Sequence, residues 1–481
     1  MGQSGHRIGR RQLIKSLAIT GAVGAVTPGL QPLAGFAHAQ GKAITPGVAD
    51  WNRFGYDLHN TRFNAREKTL GKDNVGSLRL RWTRETNAPI QTVPTVIGDT
   101  LFFGTMAGYQ YALETSSGEE RWSYFAGYNP NSAANPGVRS SSQFENGRIY
   151  FGTGLAKVHC LDAATGQEIW QTQIDEDPVR NRAQILCSPV VFQGKVYVGT
   201  SSAQAQAVCL DAETGAVRWR FYVVPDRSRD AGGSIWTSAA VDEKTNIVYF
   251  TTGSLKSFMP PDPMLFTESV LAFDGDTGEM IWYDQARRAD PFDLDYGCHP
   301  MIFNAVHPAQ PEEIRKCVGA GNKGGFYCFN RHTGERYWKT MLTPTGRGSG
   351  LRLNATAVAY NRVFAVSNAG GIRGRSAISV AAALHAYTGD IMWMVANSAT
   401  IVAPVSVANG VFYQGLENGS LEAIDVETGE ELWSQKLPKM IRGGVAVANG
   451  WIYSTTGTMQ GWRRDDASPD ERYAIYAFSP D

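Results

Sequence analysis

The sequence is short of most of the features that would assign it quickly. Its 481 residues hold only six Cys, too few and too scattered for a disulfide scaffold. No C-x-x-C pair occurs, so neither a zinc ribbon nor a dithiol redox pair is indicated. The missing C-x-x-C-H rules out covalent c-type haem on this chain. Neither sign of charge is in excess, because 45 Lys plus Arg balance 45 Asp plus Glu. No basic surplus is therefore available for a nucleic-acid backbone. Charged residues make up only 19% of the chain, below the ~25% of an average soluble domain. No apolar run approaches the ~20 residues of a bilayer span. There is no P-loop and no strand-linked G-x-G-x-x-G, which argues against nucleotide binding. Long runs of 3.6-residue apolar period are absent too, which excludes a coiled coil and an α/β fold.

What is abundant is glycine, with 52 residues, and aromatic side chains, including 12 Trp, 19 Tyr and 21 Phe. A chain this apolar and aromatic is not disordered. Gly with Trp suggests short strands punctuated by tight turns.

The first 39 residues read as an address. Arg7, Arg10, Arg11 and Lys15 precede a weakly apolar run from Leu17 to Val26, and Ala37-His38-Ala39 fits a small-x-small cleavage site. Gly9-Arg10-Arg11-Gln12-Leu13-Ile14-Lys15 resembles a twin-arginine export signal. The alternative is a basic amphipathic helix kept in the mature chain. Cleavage after Ala39 removes four basic residues and no acidic one, leaving a net charge of minus four. The expectation is a soluble periplasmic protein with residues 40–481 as one domain.

Internal repeats decide the fold class. Ala112 to Trp122 (ALETSSGEERW) recurs as Cys160 to Trp170, Cys209 to Trp219, Ala272 to Trp282, Cys328 to Trp338, Ala383 to Trp393 and Ala423 to Trp433. Each copy keeps a small residue, then Thr/Ser-Gly, then Trp ten positions after the small residue. The Asp-x-x-Thr-Gly stretch is a hairpin turn, with Asp capping backbone N–H groups and Gly at positive φ. A β-rich strand such as Lys195-Val-Tyr-Val198 precedes each copy. Four strands per repeat, at 40–63-residue spacing, predict the blades of an all-β propeller. The chain ends at Ala477-Phe-Ser-Pro-Asp481, the start of an eighth copy, and Trp82 is placed to supply its missing Trp. Eight blades closed by the N- and C-terminal strands are expected, with seven as the alternative. Cys160, Cys209 and Cys328 fall at the small-residue position, which makes them buried structural thiols.

These repeats look like the tryptophan-docking motifs of quinoprotein alcohol dehydrogenases, eight-bladed propellers that bind pyrroloquinoline quinone (PQQ). Asp50-Trp51-Asn52-Arg53-Phe54-Gly55, Asn60-Thr61-Arg62-Phe63 and Asp73-Asn74-Val75-Gly76 resemble that family's opening. The resemblance spans nearly the whole mature chain and implies a site. Asp293 matches the catalytic base, and Lys323 matches the basic residue beside the reactive quinone carbonyl. Trp236 matches the indole that stacks on the quinone. Arg139 and Asn368 match contacts to its carboxylates and ring. Gln204, Ser254 and Asp293 stand where the family holds Ca²⁺. An Asp can take an alcohol proton as hydride leaves, a cation stabilises charge at the accepting carbonyl, and a flat indole holds a flat cofactor.

Each residue has a plainer reading beside the functional one. Asp293 and Asp295 also read as loop carboxylates, and Asp295 becomes the base if the register slips by two. Lys323 also reads as a turn residue, and Trp236 as a buried inter-blade Trp, although it lies outside the docking series. The chain departs from the family at Gln204, where Glu is usual, and at Ser254, where Asn is usual. The site then has one negative charge fewer for a hard cation. Leu186 replaces a frequent polar contact, and the family's vicinal Cys pair is missing. The unit Ile441-Arg-Gly-Gly-Val-Ala-Val-Ala-Asn-Gly450 resembles compact members acting on polymers such as polyvinyl alcohol. The implied reaction is oxidation of an alcohol, with electrons passing to a separate acceptor such as a cytochrome c. The competing reading is a non-catalytic propeller that binds a ligand or protein.

Overall fold

A computed structural model describes residues 43–132, 135–224, 232–254, 265–287, 295–322, 325–342, 356–372, 375–458, 462 and 471–481. The export signal lies outside these residues, as do Asp293 and Lys323.

Eight sheets form the blades, each of four antiparallel strands, with the two-residue strand Phe63–Asn64 added parallel to Ser406–Ala408. Blade 1 runs Thr95–Ile97, Thr100–Gly104, Tyr109–Glu114 and Glu120–Phe125, from inside to outside. Blades 2 to 7 repeat this order, with innermost strands Gln143–Glu145, Val190–Phe192, Ala240–Asp242, Met301–Val306, Thr356–Ala359 and Ser406–Ala408. Blade 8 takes three strands from the C-terminal end, Ile441–Ala448, Trp451–Thr456 and Tyr473–Ser479. Its fourth is Arg79–Thr86 from near the N-terminus. The shared blade closes the ring and leaves no unpaired sheet edge between first and last repeats. Trp82 completes the eighth copy, opposite Ala477.

The turn works as its residues dictate. In blade 2 the Asp162 carboxylate accepts the N–H groups of Ala164 (3.1 Å) and Thr165 (2.9 Å). Gly166 follows at φ +73°. The small residue and the Trp are cross-strand partners: Ala112 faces Trp122, Cys160 faces Trp170 and Cys209 faces Trp219. A small side chain there leaves room for the indole to lean onto the next blade. Trp122 donates to Ala163 O (3.0 Å), and a Cβ on Gly166 would stand 2.7 Å from its ring. The same contact recurs from Trp82 on Thr115, Trp170 on Ala212, Trp219 on Gly275, Trp282 on Arg331, Trp338 on Ala386 and Trp393 on Val426. The repeat Gly is thus required twice, for its φ and for the ring above it.

The segment before blade 8's outer strand has a second task. Trp51 bonds Val96 of blade 1, and the carbonyls of Asn52, Leu58, His59, Thr61 and Arg62 accept from the inner strands of blades 2, 4, 5, 6 and 7. Asn64 reaches Val447 of blade 8 (2.8 Å). This stretch is a plug laid across the inner strands. At its centre Arg62 is 2% exposed and donates to Val405 O (2.6 Å) and Phe54 O (2.7 Å). Its guanidinium lies 4.4 Å over the Phe54 ring. Burial pulls its pKa down to about 9.

Candidate active site

The loops that enter the innermost strands build the site. Four residues before each innermost strand stand Gln91, Arg139, Leu186, Trp236 and Val402, in blades 1, 2, 3, 4 and 7. Two residues before the innermost strands of blades 2, 3, 4, 5 and 7 come Ser141, Ser188, Ser238, His299 and Pro404. All ten line one cavity on the ring axis, with Phe54 of the plug as a further wall. The residue just ahead of the first set is an aliphatic anchor. Val138, Ile185 and Ile235 each press on Gly104, Gly152 or Gly199 of the preceding blade, at 2.1–2.4 Å from where a Cβ would be. Those glycines let neighbouring blades approach closely at the axis.

The second set is tied blade to blade. The N–H of Val93 donates to Ser141 Oγ (2.8 Å), that of Ser141 to Ser188 Oγ (2.9 Å), and that of Ser188 to Ser238 Oγ (2.8 Å). The N–H of Ser238 donates to His299 Nδ1 (2.5 Å). Five blades are thereby stapled around the cavity floor. The residues between the two sets face their own blades: Thr92 bonds Gly104, Cys187 bonds Gly199 and Thr237 bonds Thr251. Cys187 is therefore a structural thiol. The serines carried a sequence signal, since Ser recurs in this register in three successive repeats.

His299 packs on Phe54 with centroids 4.3 Å apart. Burial, with Arg62 nearby, drives its pKa down to about 3. It is a neutral imidazole, and because Nδ1 accepts a hydrogen bond, its proton sits on Nε2.

Of the residues singled out in the sequence, Arg139, Trp236 and Leu186 meet in this cavity. Gln204 is 4% exposed and donates to Val224 O (3.3 Å). Asn368 spans the backbone of Ile401: its Nδ2 donates to Ile401 O (2.8 Å) and its Oδ1 accepts Ile401 N–H (2.8 Å). Those bonds give Asn368 a structural task at the blade 6–7 junction. Asp295 and Ser254 come together, the carboxylate of the one accepting the N–H of the other. A Cβ on Gly253 would lie 2.9 Å from the same carboxylate. Among the described residues no three His, Cys, Asp or Glu side chains gather as a metal cluster.

The chemistry of the axial cavity is one-sided. Arg139 and Arg442 line it together with serine hydroxyls and the Trp236 ring, and no Asp or Glu does among the described residues. Cations, neutral donors and a flat aromatic wall fit a flat, multiply carboxylated ring system such as PQQ. The described residues enclose about 70 Å³, a floor rather than a full ligand site of ~300–1,000 Å³. A larger cavity of about 660 Å³ opens beside the plug at Asp50, Arg53, Asp57, His59, Glu145 and Glu243. It holds none of the residues expected at the site.

Comparison with known proteins places the chain. The model described as the β-propeller domain of glucose/ethanol/alcohol dehydrogenase matches residues 222–356. The model described as outer membrane protein assembly factor BamB matches residues 76–220 and 377–470. A polyvinylalcohol dehydrogenase of Sphingopyxis is 25% identical over 80% of this chain and 66% of its own length. The dehydrogenase subunit of a quinone alcohol dehydrogenase from Gluconobacter oxydans is 26% identical over 66% of this chain and 50% of its own. The chain thus spans about half to two thirds of the length of these relatives. The quinohemoprotein alcohol dehydrogenase of Comamonas testosteroni superposes with a TM-score of 0.76 at 19% identity, over 90% of this chain and 80% of that one. A europium-containing methanol dehydrogenase gives 0.76 at 17% identity, over 90% and 98%. The eight-bladed ring is thus built of PQQ-type repeats, and its residues 222–356 match the propeller domain of alcohol dehydrogenases.

Proposed function

We propose that the protein is a PQQ-dependent dehydrogenase that oxidises an alcohol to a carbonyl and passes the electrons to a separate acceptor, such as a cytochrome c. The observation that carries this reading is the meeting of Trp236 and Arg139, from different blades, in an axial cavity lined by no carboxylate among the described residues. PQQ, when bound, supplies the hydride-accepting quinone. Trp236 offers the stacking face and Arg139 a charge-assisted contact for a carboxylate. Leu186 and Phe54 add apolar walls beside these polar groups. Asp293 is assigned as the base that takes the alcohol proton, Lys323 as the cation beside the carbonyl, and Gln204, Ser254 and Asp293 as ligands of a Ca²⁺ ion. The twin-arginine-like start favours a periplasmic site of action. The name of the first relative above favours a secondary alcohol on a polymer as substrate.

The test is direct. Purified protein is titrated with PQQ, with and without Ca²⁺, and dye reduction is followed with a panel of alcohols. Binding with alcohol-dependent dye reduction is expected. No binding and no reduction under any metal would overturn the reading. That outcome would favour a non-catalytic binding propeller, a reading that the Asn368–Ile401 bonds and the substitutions at Gln204 and Ser254 support.

A further inference from the structure

We propose that Arg442 is a second carboxylate-binding residue of the axial site, aimed there by the Ile441-Arg-Gly-Gly unit and held by Glu417. The inference rests on the reading of the axial cavity given above, and assigns a residue that the family resemblance did not.

The register of the ring makes the case. Blade 8 aligns with the others by its strand pairing. Ala446 faces Tyr453 as Ser406 faces Tyr413 and Ala240 faces Tyr249. Counting back four residues from Ala446 gives Arg442, just as it gives Trp236 from Ala240 and Arg139 from Gln143. Arg442 therefore stands where blades 1, 2, 3, 4 and 7 deliver a side chain to the axis, and it lines the same cavity. The residue ahead of it repeats the anchor: Ile441 presses on Gly415, 2.3 Å from where a Cβ would be. The residues after it must be glycines. A Cβ on Gly443 would fall 1.8 Å from Thr455 Oγ1, and Gly444 has φ +91° with Pro404 O 2.8 Å from its absent Cβ. The motif packs, aims and clears space, in that order.

Ring order fixes the partner across the axis. Trp82 of blade 8 docks on blade 1, so the eight blades form a closed cycle and blade 8 lies opposite blade 4. Arg442 thus enters the cavity from the blade opposite that of Trp236. Arg139, two blades on from blade 8, stands to one side. A flat acid bound against Trp236 would have two guanidinium groups, from blades 2 and 8, lining the same cavity.

Arg442 is 7% exposed, and its guanidinium pairs with the Glu417 carboxylate. Thr400 Oγ1 donates to the other oxygen of Glu417, and Glu417 N–H donates to Thr400 O (2.9 Å). Glu417 itself does not line the cavity. It restrains the fork from the side, so less rotamer freedom is lost when a ligand carboxylate binds.

The experiment uses two probes on the purified protein, PQQ and the redox-inert benzene-1,2,4-tricarboxylate. Binding is read by tryptophan fluorescence and calorimetry. Arg442→Gln is expected to weaken both acids by about 10- to 100-fold, as for loss of a charge-assisted hydrogen bond. Its melting temperature is checked in parallel. Arg442→Lys keeps the cation without the planar fork, and should fall between the two. Where Arg442→Gln does not fold, the Lys variant decides: at least a threefold loss supports the assignment, and no loss overturns it. A purely structural ion pair would lower the melting temperature and leave the affinity of the folded protein within twofold, which also overturns it. Arg442-dependent binding of the inert acid, with no dye reduction on PQQ, upholds the anion site and sinks the dehydrogenase reading. Dye reduction with affinity indifferent to Arg442 does the reverse. No binding of either acid overturns both.

Discussion

His299 Nδ1 accepts the backbone N–H of Ser238 at 2.5 Å, which makes the imidazole the last link of a chain that begins at Val93. The bond requires the unprotonated ring, and burial enforces the same state, with a pKa of about 3. The unfolded chain protonates near the ordinary histidine pKa of ~6.5. As pH falls below that value, the unfolded state takes up a proton that the folded state refuses. Stability is therefore full above about pH 6.5 and is lost as pH falls toward 3. His159, pulled down to about 4 chiefly by burial, adds to the same trend. His299→Asn keeps an acceptor near Nδ1 and cannot titrate. Between pH 7 and 5 the wild type should lose roughly 2 kcal/mol more than this variant, by linkage. Chemical denaturation at the two pH values checks it; equal losses would remove His299 from the account.

Trp236 and Trp170 should respond differently to truncation. Trp170 is a blade staple, 9% exposed, bonded to Ala212 O and covering Gly215. Trp170→Ala should cost about 3–5 kcal/mol of stability. Trp236 is half-buried on the cavity wall. Trp236→Ala should lower PQQ affinity about tenfold or more, with a smaller loss of melting temperature than Trp170→Ala. Equal destabilisation with unchanged affinity would return Trp236 to the structural set.

The pairing of Asp295 with Ser254 N–H separates the two candidate bases. The Asp295 carboxylate is already tied to a backbone donor, a structural contact that a free base would not make. Asp293→Asn should therefore lower turnover by about 10²- to 10⁴-fold, the usual range for a general base, while PQQ binding persists. Asp295→Asn keeps an oxygen acceptor for Ser254 and should retain most of the turnover. Steady-state dye reduction by both variants decides, and the opposite pattern would transfer the role to Asp295.

All six cysteines are buried and unpaired by disulfides. Burial pushes the thiols of Cys160, Cys187 and Cys209 up to about 12, so almost no thiolate exists at pH 8. Native protein should give no prompt reaction with a thiol reagent such as Ellman's, and six equivalents after denaturation. A rapidly reacting thiol in the native state would contradict this burial.

The fold was written in the sequence because each docking contact lies in a short local unit. Asp162, Gly166 and Trp170 fall within nine residues, and their turn, φ and cross-strand register follow from local geometry alone. The neighbouring blade is the next repeat along the chain, so even Trp122 on Gly166 needs no long-range information. Trp82 opposite Ala477 was legible for the same reason, as the missing half of a repeated pattern. The site was legible in part. Arg139 and Trp236, expected from the resemblance, line one cavity, while Asn368, expected on the same ground, is bonded to Ile401.

What the tertiary structure decided is convergence at the axis. Ser141, Ser188, Ser238 and His299 stand about fifty residues apart, and each alone looks like an ordinary loop residue. Only ring closure brings the corresponding positions of blades 1 to 5 to a common centre, where their hydrogen bonds run from blade to blade. The same closure turns a buried Arg62, read at first as part of an opening motif, into the core of a plug. It also sets Arg442 on the blade opposite that of Trp236. The sequence by itself determined that the chain is a ring of blades and how their repeats are stapled, while the pairing of Trp82 with Ala477 decided eight blades over seven. Which side chains share the axial cavity depends on the ring, because that distance is measured across the molecule and not along the chain.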